Sequence, residues 1–246
     1  MAKVATAKEK ARSALLATFS KRHRANMEVR PEDPMTPAEA IATLKKFKMP
    51  KFDQTVNVVV FLGIDTKQAE QNIRGSVALP KGIGKSKRVV AFCADTVVKD
   101  ALAAGAIKAG GEELAKEVEK GWMDFDVAVA SPDMMRVISK LGRVLGPKGL
   151  MPSPKAGTVT PDIPTAVKEY SAGKVEYRND KGGNIHAVIG KMSFSATDLT
   201  ANLNHFIHTI EASRPSTVKG HYIKKVAISG VMTPSVLVAV QNKVVE

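Results

Sequence analysis

The stretch Val89-Val90-Ala91-Phe92-Cys93 decides the fold class of this chain. It is a short, continuous apolar run, and residues 127–130, Val-Ala-Val-Ala, repeat its texture. A strand with no polar face is typical of a parallel sheet that helices cover on both sides. Because a helical segment follows each run, residues 82–173 are predicted to form a three-layer α/β unit of the Rossmann-like kind. Asp95 is expected to cap the first of these helices, and Gly105 to end it.

The segments on either side of this unit have a different texture. Thr36–Glu39 supplies a helix N-cap, a first-turn proline and a capping-box carboxylate in order, which predicts the start of a helix. Residues 56–62 alternate apolar and other side chains, as a half-buried strand does. Farther on, residues 174–178 and 185–189 predict a β-hairpin around the turn 179–183.

The two textures predict a discontinuous architecture. Residues 1–81 and 174–246 would join into one α+β domain, and residues 82–173 would be an α/β domain inserted into it. Charge agrees with this division, because residues 82–173 carry 13 Lys and Arg against 11 Asp and Glu. That difference of +2 leaves +11 of the total net charge of +13 to the flanking segments.

A net charge of +13, with an isoelectric point near 9.8, predicts an acidic partner. A polyanion is the natural candidate, because each phosphate that Lys or Arg neutralises releases condensed counterions. No stretch approaches the roughly 20 consecutive apolar residues of a membrane span, so no membrane partner is expected. The N-terminal cations precede only the short apolar run Ala14–Leu16, which predicts no signal peptide and a cytoplasmic location. Cys93, the single cysteine, is expected to be a buried and inert thiol.

Motifs that would indicate an enzyme are incomplete. Gly84–Ser86 resembles the end of a phosphate-binding loop, but Leu79 stands where that motif needs a glycine. His205 and His208 lie three residues apart on a predicted helix, where ordinary surface side chains are favoured over a metal site. No dinucleotide fingerprint follows residues 89–94. We therefore expect no catalytic residues, no metal and no cofactor.

The segment 141–159, LGRVLGPKGLMPSPKAGTV, is the most specific motif of the chain. Its four glycines and three prolines predict a mainly irregular loop that carries Arg143, Lys148 and Lys155 on a constrained backbone. A basic solvent-exposed connector would have a similar composition. The string itself, however, resembles the signature segment of the universal uL-one family, the first-numbered proteins of the bacterial large ribosomal subunit.

The resemblance extends over nearly the whole chain after Thr36. It includes residues 51–55, 72–75, 79–85, 121–126 and 177–181. It implies two domains, the first built from both chain ends. It further implies a monomer when free, which binds the stalk helix of large-subunit ribosomal RNA (rRNA) in the ribosome, helps release deacylated exit-site tRNA and represses its own operon messenger RNA (mRNA).

In that family, RNA contacts a Lys-Phe-Asp-x-Thr segment and a loop near the C-terminus. The matching positions here are Lys51, Phe52, Thr55, Met232, Thr233, Pro234 and Ser235. Lys51 can meet a phosphate, Phe52 can offer an apolar face to a sugar or base, and Thr55 can bond a 2′-hydroxyl. From the residues alone, a core position for Phe52 stays equally open.

Three turn residues and one departure from the family complete the predicted RNA site. Arg178, Asn179 and Lys181 are expected to add contacts to the RNA backbone, with a solvated turn as the alternative. The family pattern in the C-terminal loop is Thr-Met-Gly-Pro, whereas this chain has Val231-Met232-Thr233-Pro234. The hydroxyl expected at position 231 is therefore absent, and Thr233 is a possible substitute for it.

The crossings between the two predicted domains are expected to form a hinge that includes Lys85, Lys87, Arg88 and Gly173. The near-neutral middle domain should bind RNA weakly. Two other functions remain open: a regulator that mainly binds mRNA, and, less favoured, a nucleotide-dependent enzyme using the α/β domain. The N-terminal extension 1–35 is predicted either to contact rRNA or to be disordered until assembly.

Overall fold

The computed structural model describes residues 18–218 and 220–240. Ala14–Leu16, on which the prediction about a signal peptide rests, lies outside these residues, as does the first part of the extension 1–35. The helices are α1 (Lys21–Val29), α2 (Pro37–Lys46), α3 (Val98–Ala103), α4 (Glu112–Glu119), α5 (Met135–Lys140), α6 (Gly142–Leu145), α7 (Ile163–Ser171) and α8 (Ala196–Ala212). The strands are β1 (Thr55–Leu62), β2 (Arg74–Val77), β3 (Val89–Phe92), β4 (Lys108–Gly110), β5 (Val127–Ala130), β6 (Val175–Arg178), β7 (Asn184–Lys191), β8 (Ile223–Gly230) and β9 (Val236–Val238).

The middle of the chain forms a parallel sheet in the order β4-β3-β5. Val90 and Phe92 of β3 pack on one face with α4, α5 and α6. Val89 and Ala91 pack on the other face, with α3 and α7. Both faces are therefore buried, which explains the continuous apolar run and confirms the predicted parallel sheet between helical layers.

A second sheet is antiparallel, in the order β7-β1-β8-β9. Its strands come from before and after the middle segment in the sequence, and β1 lies between β7 and β8. Alternate residues of β1, Val56, Val58 and Val60, are fully buried against a core to which α2 and α8 contribute. The chain is therefore a mixed α/β protein, as predicted.

Two helices of this layer begin with side-chain caps. Thr36 accepts a hydrogen bond from the Glu39 N–H, and the Glu39 carboxylate accepts one from the Thr36 N–H, so the predicted capping box is confirmed. Ser195 accepts a hydrogen bond from the Asp198 N–H at 3.0 Å and begins α8. Such caps satisfy backbone donors that the helix itself leaves unpaired.

The predicted cap at Asp95 is wrong. Helix α3 begins at Val98, its N-cap is Val97, and no side chain caps it. The cause is a turn closed by the Val97 N–H and the Ala94 carbonyl, which delays the helix start beyond the reach of Asp95. Gly105 does follow the end of α3, with a positive φ of 106°.

The predicted hairpin of residues 174–178 and 185–189 is confirmed only at its turn, because β6 and β7 do not pair along their length. β6 pairs with β2 in a separate two-stranded sheet, β7 pairs with β1, and an isolated bridge between Asn179 and Ile185 joins the two ends. Nonlocal bonds favour this pairing, because the Asn179 side chain accepts from the Ile73 N–H at 2.8 Å and Arg74 forms an ion pair with Glu176 at 2.7 Å.

The chain runs twice between the antiparallel layer and the middle segment, once at residues 81–88 and once at residues 171–174. These two passages contact each other. Gly173 has a φ of +105°, and a Cβ there would lie 2.8 Å from Cγ1 of Ile83. Asn202 of α8, which is fully buried, accepts a hydrogen bond from the Lys81 N–H and donates to the carbonyls of Gly82 and Ile189. The first passage is therefore bonded to the antiparallel layer.

Candidate nucleic-acid interface

One end of the antiparallel sheet brings together the three segments that surround the start of β1. The Met232 N–H donates to Oε1 of Gln54 at 2.8 Å, and the Val231 N–H donates to the Thr55 carbonyl at 3.2 Å. The Met192 N–H donates to the Gln54 carbonyl at 2.9 Å. These bonds fix residues 51–55, 191–195 and 231–235 together, and we call this surface the sheet-end surface.

Further bonds hold the first of these segments. The Asp53 carboxylate accepts hydrogen bonds from the N–H and the hydroxyl of Ser193, at 3.1 and 2.8 Å. The Lys45 ammonium group donates to the Phe194 carbonyl. The Asp53 carboxylate therefore joins the segment 51–55 to the segment 191–195.

Large apolar side chains are exposed on this surface. Phe52 is 50% exposed, Met232 49%, Val231 54% and Met49 41%. Lys51, also exposed, lies between two of them in the sequence. The core position for Phe52 is thereby excluded, and the combination of a cation with aromatic and apolar faces suits contact with sugars, bases and phosphates.

The C-terminal loop turns part of its polar surface inward. Thr233 is buried, and its Oγ1 accepts a hydrogen bond from the Gly230 N–H at 2.8 Å. Pro234 is buried as well, and Ser235 and Thr55 are half-buried. The Thr233 hydroxyl is therefore engaged within the loop, and it does not replace the hydroxyl that position 231 lacks.

Gln54 is a residue of this surface that the sequence did not single out. Its side chain is fully buried, Oε1 accepts from Met232, and Nε2 has no hydrogen-bond partner in the described structure. A buried donor without an acceptor costs about 1–3 kcal/mol. No spacing or motif signals this role, because it depends on the register of β1 against the loop after β8.

A basic helix is attached beside the sheet-end surface. Nδ2 of Asn26, in α1, donates to the Lys48 carbonyl at 3.0 Å, and its Oδ1 accepts from the Lys48 N–H at 2.7 Å. Asn26 is buried, while Lys21 and Arg24 of the same helix are exposed. Within the described part of the extension 1–35, Lys21–Val29 thus forms a helix. It is attached at Lys48, three residues before Lys51.

The turn residues predicted to bind RNA lie at the opposite end of the sheet. The register pairs Thr55 with Lys191 and Phe61 with Asn184, so the turn 179–183 extends beyond the far end of β1. Seven residue steps of about 3.3 Å separate the two ends of the strand by about 23 Å. The structure therefore does not place Arg178 and Lys181 beside Lys51.

The turn itself has a fixed conformation. One oxygen of Asp180 accepts from the N–H groups of Gly182 and Asn184, at 2.8 and 2.7 Å. These bonds, with that from the Asn184 N–H the largest cause, lower the pKa of the Asp180 carboxyl. Asn179 is occupied by Ile73, whereas Arg178 and Lys181 are exposed. Asn179 therefore positions the turn, and the two cations are available to a ligand.

The predicted hinge residues differ in their exposure and in the groups they bond. Lys85 is exposed, but the Lys87 ammonium group donates to the Lys174 carbonyl at 2.8 Å and so joins the two passages. Burial is the main cause that lowers the pKa of Lys87. Arg88 forms ion pairs with Asp124 and Asp126 inside the middle segment. Gly173 packs against Ile83, as described above.

A cavity of about 890 Å³ opens at the carboxyl ends of β3 and β4. Its lining is rich in carboxylates, namely Asp95, Glu112, Glu113 and Glu117. Lys108 also lines it but forms an ion pair with Glu117 at 2.6 Å. Burial raises the pKa of the Cys93 thiol at this edge, so that it stays protonated. Four carboxylates around one lysine are unfavourable for the phosphates of a nucleotide, so this cavity gives the enzyme alternative no support.

Other sites considered from the sequence are also absent from the described part of the chain. Among residues 18–218 and 220–240, no three His, Cys, Asp or Glu side chains are grouped as metal ligands. His205 and His208 are exposed on α8. Within the same ranges, no helix is both long enough and apolar enough to cross a membrane.

The fold and this surface define a basic, mixed α/β protein that exposes a lysine and large apolar side chains at one end of its antiparallel sheet. Residues 44–234 match the model of the ribosomal protein L1p/L10e family. The chain is also 55% identical over 220 residues to the large ribosomal subunit protein uL1 of Rhodopirellula baltica. The aligned residues cover 89% of this chain and 98% of that protein. The chain belongs to the ribosomal protein L1p/L10e family, and it is a ribosomal protein and not an enzyme.

Proposed function

We propose that this protein is a structural constituent of the large ribosomal subunit that binds large-subunit rRNA through the sheet-end surface. The observation that carries the proposal is the exposure of Phe52 and Met232 beside Lys51, on segments that hydrogen bonds hold together. Exposure of apolar side chains to water is unfavourable, so their presence on a fixed surface indicates a partner that covers them.

Each group on the surface has a distinct role in this proposal. The Lys51 ammonium group neutralises a phosphate, and the ring of Phe52 stacks on a sugar or base. Thr55 bonds a 2′-hydroxyl. Met232 and Ser235 contact the same strand from the C-terminal loop.

The resemblance to the uL-one family supports finer assignments. The RNA would be the stalk helix near the tRNA exit site, where the protein assists release of deacylated tRNA. The protein would be a cytoplasmic monomer before assembly. Residues 1–81 and 174–246 would form the RNA-binding domain, and residues 82–173 the inserted domain, in keeping with their separate buried clusters.

Two substitutions test the sheet-end surface. Lys51→Ala should weaken binding of a stalk RNA fragment and lower the slope of log affinity against log salt by about 1. Phe52→Ala should cost about 1–3 kcal/mol of binding, the range for an aromatic that stacks on a base. Since Phe52 is half exposed, the urea midpoint of Phe52→Ala should stay close to that of the wild type.

Lys120→Ala is the matched control, because Lys120 is an exposed lysine at the end of α4, in the middle segment. Its affinity and salt slope should equal those of the wild type. Equal binding of stalk RNA and of an unrelated duplex by the wild type at moderate salt would refute the proposed function.

We propose that the same surface also binds the protein's own operon mRNA, which would make it a translational repressor. One surface cannot hold two RNAs at once, so the leader mRNA and the stalk fragment should compete. Simultaneous binding of both RNAs in a gel-shift titration would contradict this second role.

A hinge at the two passages is a further proposal, and it involves Lys85, Lys87, Arg88 and Gly173. The Lys87 bond to the Lys174 carbonyl would act as a latch between the passages. Small-angle scattering should show a wider spread of dimensions for Lys87→Met than for the wild type. Identical scattering profiles would remove the latch.

A further inference from the structure

A second crevice lies at the end of the structure away from Lys51. It has a volume of about 390 Å³ and is lined by residues of the 179–183 turn, by the segment 72–74 and by Lys155 of the middle segment. Four cationic side chains face it, namely Arg74, Lys155, Arg178 and Lys181. The crevice therefore combines cations that are far apart in the sequence and come from both parts of the chain.

Both walls of this crevice are anchored to the rest of the structure. On one side, the Thr66 hydroxyl donates to the Lys181 carbonyl at 2.9 Å, and Asp180 fixes the turn. On the other side, the Tyr170 hydroxyl donates to the Ala156 carbonyl at 2.7 Å, next to Lys155. The backbone from which Lys155 and Lys181 extend is thus fixed before any ligand binds, which reduces the entropy lost on binding.

The charges in the crevice are not balanced internally. Arg74 forms an ion pair with Glu176 at 2.7 Å. Within residues 18–218 and 220–240, Lys155, Arg178 and Lys181 have no carboxylate within ion-pair distance. Asp180 also lines the crevice, but backbone N–H groups occupy one of its oxygens. The net positive charge favours an anion.

We propose that this crevice binds phosphate groups, and that the ligand is a phosphodiester segment of RNA passing between the 179–183 turn and the Pro154–Ala156 loop. Arginine and lysine around one crevice suit phosphate, since Arg offers paired donors and Lys a point charge. The choice of RNA as the source of the phosphate rests on the proposed function. A small phosphorylated compound presents the same chemistry and is distinguished by the test.

The position of Lys155 gives this site its consequence. The middle segment carries a net charge of only +2, which by itself predicts weak RNA binding. Through Lys155 it nevertheless supplies one wall of a cationic crevice, so RNA held there contacts both parts of the chain. Because the sheet-end surface is about 23 Å away along β1, a single bound RNA would be gripped at two separate places.

The test compares Lys155→Ala with Lys148→Ala, a matched control that removes an exposed lysine of the same connecting segment outside the crevice. Filter binding of the stalk fragment should be about threefold to tenfold weaker for Lys155→Ala, with a salt slope lower by about 1. Lys148→Ala should match the wild type. Combined with Lys51→Ala, the loss of binding free energy should be additive, since the sites are far apart.

Calorimetric titration with inorganic pyrophosphate provides the second arm. The anion site is supported if the wild type binds pyrophosphate and Lys155→Ala binds it more weakly. If Lys155→Ala weakens pyrophosphate binding but leaves RNA binding unchanged, the RNA assignment is overturned in favour of a free phosphate compound. If both variants match the wild type with both ligands, the crevice is overturned, while loss of RNA binding in Lys51→Ala would still uphold the proposed function.

Discussion

Replacement of Asn202 by Ala is the substitution whose effect the structure determines most directly. Asn202 is fully buried on α8 and makes three hydrogen bonds to backbone groups. Its Oδ1 accepts from the Lys81 N–H at 3.1 Å, and its Nδ2 donates to the carbonyls of Gly82 and Ile189 at 3.0 and 2.9 Å. Alanine would remove all three bonds and leave the three backbone groups without these partners.

The magnitude follows from the net value of a buried hydrogen bond, which is about 1 kcal/mol. Three such bonds give a loss of about 3 kcal/mol in the free energy of unfolding, and the desolvated backbone groups add to it. Urea unfolding followed by circular dichroism measures this loss as a lower midpoint at an unchanged m value. Asn204→Ala, an exposed position on the same helix, is the control and should change stability by less than about 0.5 kcal/mol.

A loss for Asn202→Ala that equals the loss for Asn204→Ala would refute this reasoning. It would show that the first passage between the sheets is held by packing alone. A loss near the expected value would establish that one amide side chain holds β7, α8 and that passage together.

Three further predictions concern binding, pH and packing. Val231→Thr, which restores the missing hydroxyl at an exposed position, should tighten RNA binding by on the order of 1 kcal/mol in filter binding, and unchanged affinity counts against it. Burial is the largest cause that raises the pKa of Tyr170 to about 12. The stabilising effect of the neutral phenol is therefore complete below pH 10 and is lost as pH rises through about 12. In urea titrations over that range, Tyr170→Phe should lose less stability than the wild type. Gly173→Ala should destabilise by about 1–3 kcal/mol more than Gly121→Ala, because both glycines have a φ near +105° but only a Cβ at 173 meets Ile83; equal losses would contradict this.

The sequence predicted those elements whose determinants are local. The run 89–93 is apolar throughout because both faces of β3 are buried, and that pattern was enough to predict a parallel sheet. Thr36 and Glu39 lie three residues apart and form the predicted capping box. In each case, the residues that interact or share a layer can be recognised within one short window.

The errors arose where distant segments compete. Residues 174–178 pair with β2 because Asn179 and Glu176 bond to Ile73 and Arg74, about a hundred positions earlier. No window that contains only the turn reveals this competition. The register of β1 and β7 also places Arg178 and Lys51 at opposite ends of the sheet, a separation that the sequence did not indicate.

The site residues were predictable to different degrees for the same reason. The family motif marked Phe52 and Met232, and their exposure is the structural property on which an RNA contact depends. Gln54 was missed because its bond to Met232 joins positions 178 residues apart.

The central place of β8 in the antiparallel sheet has a consequence for biosynthesis. β8 lies between β1 and β9, and the loop that joins β8 to β9 supplies Met232. A nascent chain therefore has Lys51 and Phe52 early, but it lacks their partner loop until almost all of its length has been translated. Prematurely terminated chains would not present the complete surface, so assembling particles would be protected from incorporating fragments.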